Sequence, residues 1–107
     1  MPIPSRRFHT RVESRDSVWA YWECKERRDL SGVKNLSVGG LFIETTTLEH
    51  IGTTAQLHFL VDEGEIRAPA IVEHVRPGSG LGLRFHAVPE KDRPNLAALI
   101  TRLRNLV

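Results

Sequence analysis

The chain has 107 residues, 40% of them hydrophobic and 26% charged. That is one ordinary domain, long enough to bury roughly 65% of its unfolded surface without disulfides or metals. Fifteen basic residues against 13 acidic ones give a net charge of only +2, which argues against a general nucleic-acid coat. Its apolar runs are too short to span a bilayer. The basic N-terminus has no apolar core of the secretory kind. Cys24 is the one cysteine, so no internal disulfide can form and a cytoplasmic location is expected. Twelve of the 15 basic residues are arginines; only Lys25, Lys34 and Lys91 are lysines. The planar guanidinium fork suits phosphates and guanine edges. A codon bias toward arginine would produce the same excess.

Residues 1–16 read as a flexible arm. They carry Pro2, Pro4 and four arginines (Arg6, Arg7, Arg11, Arg15), with Ile3, Phe8 and Val12 as the available apolar anchors. Short strands follow. Residues 17–23 alternate, with Val18, Ala20 and Trp22 on one face and Trp19 and Tyr21 on the other. Residues 24–29 read as a charged turn and 30–36 as a second strand, with a bulge or close approach at Gly32. Gly39 and Gly40 mark a turn before a strand at 41–46. Another alternates over 54–62, carrying Leu57, Phe59 and Val61. Asp62-Glu63-Gly64-Glu65 predicts a hairpin turn. The longest strand is 66–75, where Pro69 lacks a donor and so marks an edge or bulge. A turn at 77–80 precedes the last strand, 82–86. The tail changes period: Leu96, Leu99, Ile100, Leu103 and Val107 make one helical stripe, with Asp92 as cap and Pro94 in the first turn. Six strands and one helix predict a mainly β protein, a six-stranded antiparallel barrel over 17–88 followed by a C-terminal α-helix over 89–107.

No catalytic constellation is apparent. The five histidines lack ligand spacing, Cys24 has no companion, and no metal or cofactor site is expected. Ser37 lies in Leu36-Ser37-Val38 rather than a nucleophile elbow, and Gly39-Gly40 does not open a phosphate loop of the Walker kind. Nothing pairs a nucleophile with a base and an electrophile, so no enzyme is expected.

Two elements carry chemistry. In the arm, Arg7 and Arg11 are four residues apart and can converge on one ligand. At a strand end, Asn35-Leu36-Ser37-Val38-Gly39-Gly40 offers an amide, a hydroxyl and a glycine that permits close approach or positive φ. Read alone, that second element is equally an ordinary hairpin turn. Together the two resemble the PilZ domain family, bacterial receptors for cyclic di-GMP. That family is marked by Arg-x-x-x-Arg in an N-terminal arm and by Asp/Asn-x-Ser-x-x-Gly further on. Gly80-Leu81-Gly82-Leu83-Arg84-Phe85 also resembles the strand that ends the family's barrel. The resemblance runs from Ser5 through the terminal helix, as one domain over 5–107.

The resemblance implies a six-stranded barrel and binding of cyclic di-GMP. Arg7 and Arg11 would hold guanine edges and phosphates, Asn35 and Ser37 would meet the base, and Gly40 would shape the turn. Arg6 stands where the family's residue is associated with one or two bound ligands, and an arginine leans toward an intercalated pair. Arg84 would add a contact or form a surface ion pair. No output segment is read beside the barrel, so signalling would pass through an unidentified downstream protein, with motility, polysaccharide export and pilus machineries as candidates. Direct membrane insertion is not expected. One alternative is a PilZ-like interaction module that binds no nucleotide. Another, a binder of RNA or single-stranded DNA stacking on Trp19 and Tyr21, is disfavoured by the low net charge.

Overall fold

The computed structural model describes residues 12–13 and 18–105. It contains strands β1 (Val12–Glu13), β2 (Trp19–Cys24), β3 (Arg27–Leu36), β4 (Gly40–Glu44), β5 (Thr54–Leu60), β6 (Ile66–Arg76) and β7 (Gly80–Phe85). A short 3₁₀ helix, Glu90–Asp92, leads into helix α1 (Arg93–Arg104). Alternation sets which face is buried. Ala20, Trp22 and Cys24 of β2, Ala55, Leu57 and Phe59 of β5, and Ile66, Ala68, Ala70 and Val72 of β6 all point inward. A one-residue slip would expose every one of them, so the pattern fixes the register. Pairing is antiparallel throughout, in the order β3-β2-β5-β6-β7-β4, and β4 returns to β3 to close the ring. The mainly β, six-stranded antiparallel barrel with a C-terminal helix is therefore the observed fold. The short β1 is an addition to it, laid along the end of β3.

Closure depends on β3. Its first part, Arg27 to Gly32, pairs with β2, and its last part, Gly32 to Leu36, pairs with β4. The register shifts between Val33 and Asn35, so Lys34 is the extra residue of a bulge. The sequence points to Gly32 for that irregularity. Gly32 instead takes the close approach: a side chain there would crowd the Glu44 carboxylate, and the Trp19 ring lies nearby. The reversal before β3 is also tighter than residues 24–29 suggest. β2 runs to Cys24 and β3 starts at Arg27, leaving Lys25 and Glu26 as the loop. Arg27 and Arg28 look like turn residues because they lie on the exposed end of a strand, where Arg28 sits opposite Glu23 and pairs with it at 3.3 Å. Lys25 has φ 59°, a conformation normally left to glycine.

Pro69 sits where its missing donor does least harm. His86 donates its N–H to the Pro69 carbonyl at 2.8 Å, the reciprocal bond cannot form, and the β6–β7 ladder ends there. In the core, the Trp22 indole N–H donates to the Ser31 hydroxyl at 2.8 Å, so the largest buried side chain leaves no unpaired donor. Trp19 and Tyr21 are on the outer face, 46% and 38% exposed, and among the described residues they form no second packing layer.

The helix buries Leu96, Leu99, Ile100 and Leu103, the stripe expected from the sequence; Val107 lies outside the described residues. Asp92 precedes it but does not cap it. Its carboxylate faces the barrel and accepts the backbone N–H of Arg67 at 2.9 Å. Asn95 donates to the Glu65 carbonyl at 2.9 Å, and the Arg102 guanidinium grips Glu63 through two nitrogens. Three side chains thus fasten α1 to the turn between β5 and β6 and to the start of β6.

Asp92 is buried, so Asp92→Ala removes a charge-assisted bond and leaves a strand N–H without its acceptor. The expected cost is about 2 kcal/mol in urea unfolding, with Asp92→Asn retaining part of it. Lys25→Gly is expected to raise stability by up to about 1 kcal/mol. Relief of left-handed strain, about 1–2 kcal/mol, exceeds the entropy cost of glycine, about 0.5–1 kcal/mol. Cys24 is buried, and burial, reinforced by the Glu49 carboxylate, pushes its thiol pKa up. Native protein at pH 8 should therefore resist thiol reagents that modify the urea-unfolded chain. Because the folded state holds this proton more tightly, the associated stability is present below the ordinary thiol pKa and is lost as pH rises through the raised value.

Candidate functional site

The β3–β4 hairpin is the local structure of the Asn35–Gly40 element. Leu36 faces Leu41 at the end of the ladder. Beyond it, Ser37 donates its N–H to the Gly40 carbonyl at 2.9 Å, leaving Val38 and Gly39 as the tip. The Ser37 hydroxyl is buried in this turn. It accepts the Gly39 N–H at 3.2 Å and donates to the Gly40 carbonyl at 3.4 Å. Serine is suited to this because its short side chain can replace a backbone partner two residues on. Gly40 answers the second requirement. An added Cβ would lie 2.2 Å from the Leu83 carbonyl oxygen and 3.1 Å from the Arg84 Cα. Of its two possible uses, close backbone approach is the one realised, since its φ is not left-handed.

This approach ties the hairpin to β7. Gly40 faces Arg84 in the β4–β7 register, and Phe85 donates its N–H to the Gly39 carbonyl at 2.9 Å. The Arg84 side chain points outward, and its Nε meets the Glu73 carboxylate at 3.1 Å. Both side chains are about half exposed, so the pair contributes at most about 1 kcal/mol to stability. Arg84 is therefore both next to the hairpin and in the surface ion pair that the sequence left open.

Asn35 is half-buried on β3, with Phe42 of β4 opposite it on one side and Glu13 of β1 on the other. β1 lies antiparallel, Val12 against Leu36 and Glu13 against Asn35. Arg6, Arg7 and Arg11 lie outside the described residues. Arg11 is bonded to Val12, however, and Val12 is registered on the residue before Ser37. The fold thus brings the segment following the first arginine element against the second element, although they are far apart in sequence.

A cleft of about 450 Å³ opens beside the hairpin tip. Val38, Phe85, Val88, Leu96 and Ala97 give it an apolar lining, with His86, Ala87 and Arg93 completing the wall. Arg93 donates its Nε–H to the Val88 carbonyl at 3.1 Å, which fixes the start of the helix to the segment after β7. Sequence reasoning missed this cleft because it brings Val38 against residues 85–97, far away along the chain. One local signal was available: Val38 is an apolar residue in a tight hairpin tip, 56% exposed, where polar residues are usual. Among the described residues, no group of three or more His, Cys, Asp or Glu side chains is placed to hold a metal ion. Nor is any described helix long and apolar enough to cross a membrane.

Comparison with known proteins gives a consistent result. The PilZ domain model matches residues 5–102. No curated protein sequence matches. Among solved structures, the PilZ domain of Escherichia coli YcgR, determined with c-di-GMP, superposes with a TM-score of 0.74 at 18% identity, covering 94% of this chain and 92% of that one. The Bacillus subtilis inhibitor of motility MotI/DgrA gives 0.76 at 18% identity, covering 94% of this chain and 52% of that one. The Klebsiella pneumoniae MrkH–c-di-GMP complex gives 0.73 at 20% identity, with 94% and 52% covered. This chain spans about half the length of the last two. At these identities the superpositions establish the fold. With the family model matching nearly end to end and the barrel closed in the same way, this chain belongs to the PilZ domain family.

Proposed function

We propose that this protein is a receptor for cyclic di-GMP. The observation that carries the reading is the β1–β3 pairing, which lays the chain just after Arg11 along Leu36 and Asn35. The chain that follows the arginine half of the family's motif then lies against the Asn35–Gly40 half, at one end of the barrel. The family membership supports the reading, as do the YcgR and MrkH structures, which were determined with this ligand.

The chemistry fits. Each guanine presents O6 and N7 as paired acceptors, which a guanidinium satisfies with two parallel bonds, and the phosphates add charge. Arg7 and Arg11 clamp the ligand from the arm, and Asn35 meets a base from the barrel face. Ser37 and Gly40 act through the backbone, holding the hairpin at the shape the ligand needs. Arg6 is placed by sequence to reach a second, intercalated molecule. Arg84 is in range of the hairpin when it leaves Glu73. The arm's arginines repel one another until ligand charge neutralises them, so binding orders the arm on the barrel. The ordered surface then serves as an adaptor for a downstream protein. The role is that of a receptor rather than an enzyme, in the cytoplasm.

One observation favours a second reading, an interaction module without nucleotide. Ser37 and Gly40 are fully explained by the turn and by the approach to β7, so their presence does not by itself require a ligand. Calorimetric titration with cyclic di-GMP separates the two. Arg7→Ala and Arg11→Ala are each expected to cost about 2–5 kcal/mol of binding by removing desolvated charge pairs. Barrel stability should be unchanged. Undiminished binding by the double variant, or none by the wild type, would reject the receptor reading.

A further inference from the structure

The cleft beside the hairpin tip is apolar, open and next to the point where the arm joins the barrel. We propose that its occupant is the arm's own phenylalanine, Phe8. The inference goes beyond ligand binding and does not require it.

Direction comes first. β1 runs antiparallel to β3, so the chain preceding Val12 leaves β1 toward the end of β3 where the hairpin begins. Val38, one wall of the cleft, lies two residues beyond Leu36, the register partner of Val12. That is about 7 Å along a strand. Phe8 is four residues before Val12 and can reach about 13 Å. The far wall is the first part of α1, and α1 lies alongside β1 as well as β6. Val12, from which the arm departs, thus lies on the end of β3 that leads to one wall, in a strand that α1, the element of the other wall, also touches.

Chemistry selects the side chain. Residues 7–11 read Arg7-Phe8-His9-Thr10-Arg11, and Phe8 is the one large apolar group among them. The lining offered by Val38, Phe85, Val88, Leu96 and Ala97 matches a ring and has little to offer a guanidinium. Arg93, the basic residue in the wall, is turned onto the Val88 carbonyl and adds to the mismatch with arginine. A ring seated there leaves Arg7 and Arg11 on either side of an anchored residue. Phe8 is thus a positioning residue: it sets where the two guanidiniums start, and ligand binding orders the rest of the arm around that anchor.

The test uses the full chain without ligand and methyl-resolved NMR. Through-space contacts from the Phe8 ring to the methyls of Val88 and Leu96 are expected. Phe8→Ala should abolish them and shift those methyls and Val38, while core methyls such as Leu57 and Ile43 stay in place. Phe8→Trp should restore a ring-dependent shift. Absence of these contacts, or insensitivity of the cleft methyls to Phe8→Ala, overturns the proposal. It is also overturned if the cleft methyls respond only to added cyclic di-GMP, because the occupant is then the ligand. Loss of cyclic di-GMP binding in calorimetry with the Phe8 contacts intact would overturn the receptor reading and uphold this one.

Discussion

A ring of six strands closes only if the two ends of the strand order, β3 and β4, pair with each other, and β3 does so with the part that β2 leaves free. Its N-terminal part belongs to β2 and its C-terminal part to β4, with the Lys34 bulge between them. The bulge turns the strand and adds twist, which lets the ring close. Once β2 has parted from β3, the outer side of Asn35 and Leu36 is left without a ladder partner. β1 fills that gap with two residues. The hairpin, the entry of the arm and the cleft all lie where they do because β3 changes partners there.

The same constraint explains what could be read from the sequence. Strands with both a buried and an exposed face, such as β5 and β6, declare themselves by alternation. Likewise α1 is declared by its Leu96-Leu99-Ile100-Leu103 stripe. Residues whose role depends on a distant partner do not. Asp92 has every local mark of a helix cap, yet a strand N–H claims its carboxylate. Arg27 and Arg28 look like loop because their neighbours on β2 are not visible in one dimension. For the candidate site, Asn35, Ser37 and Gly40 were legible as a motif. Their division of labour was not, because it depends on the Leu83 carbonyl and the Gly39 N–H. The cleft was illegible for the same reason: Val38, Val88 and Leu96 meet only after the chain has folded.

The helix is more than a lid on the core. Asp92, Asn95 and Arg102 pin it to the β5–β6 side, while Arg93 ties its first turn to the segment after β7. One wall of the cleft is therefore as rigid as the barrel. The opposite wall is a two-residue hairpin tip. A surface built from one fixed and one slender wall can accept a side chain without moving the core, which keeps changes at the arm local.

Gly40 meets β7, and that meeting has a consequence for synthesis. The arm and the Asn35–Gly40 segment leave the ribosome early, but the β4 side of the hairpin has no partner strand until Leu83 and Arg84 follow. At roughly 5–20 residues per second, the wait between residue 11 and residue 84 is several seconds. During that interval a nascent chain carries its arginines without a finished barrel beneath them. The order of translation thus delays assembly of this end of the molecule until the sheet is nearly complete.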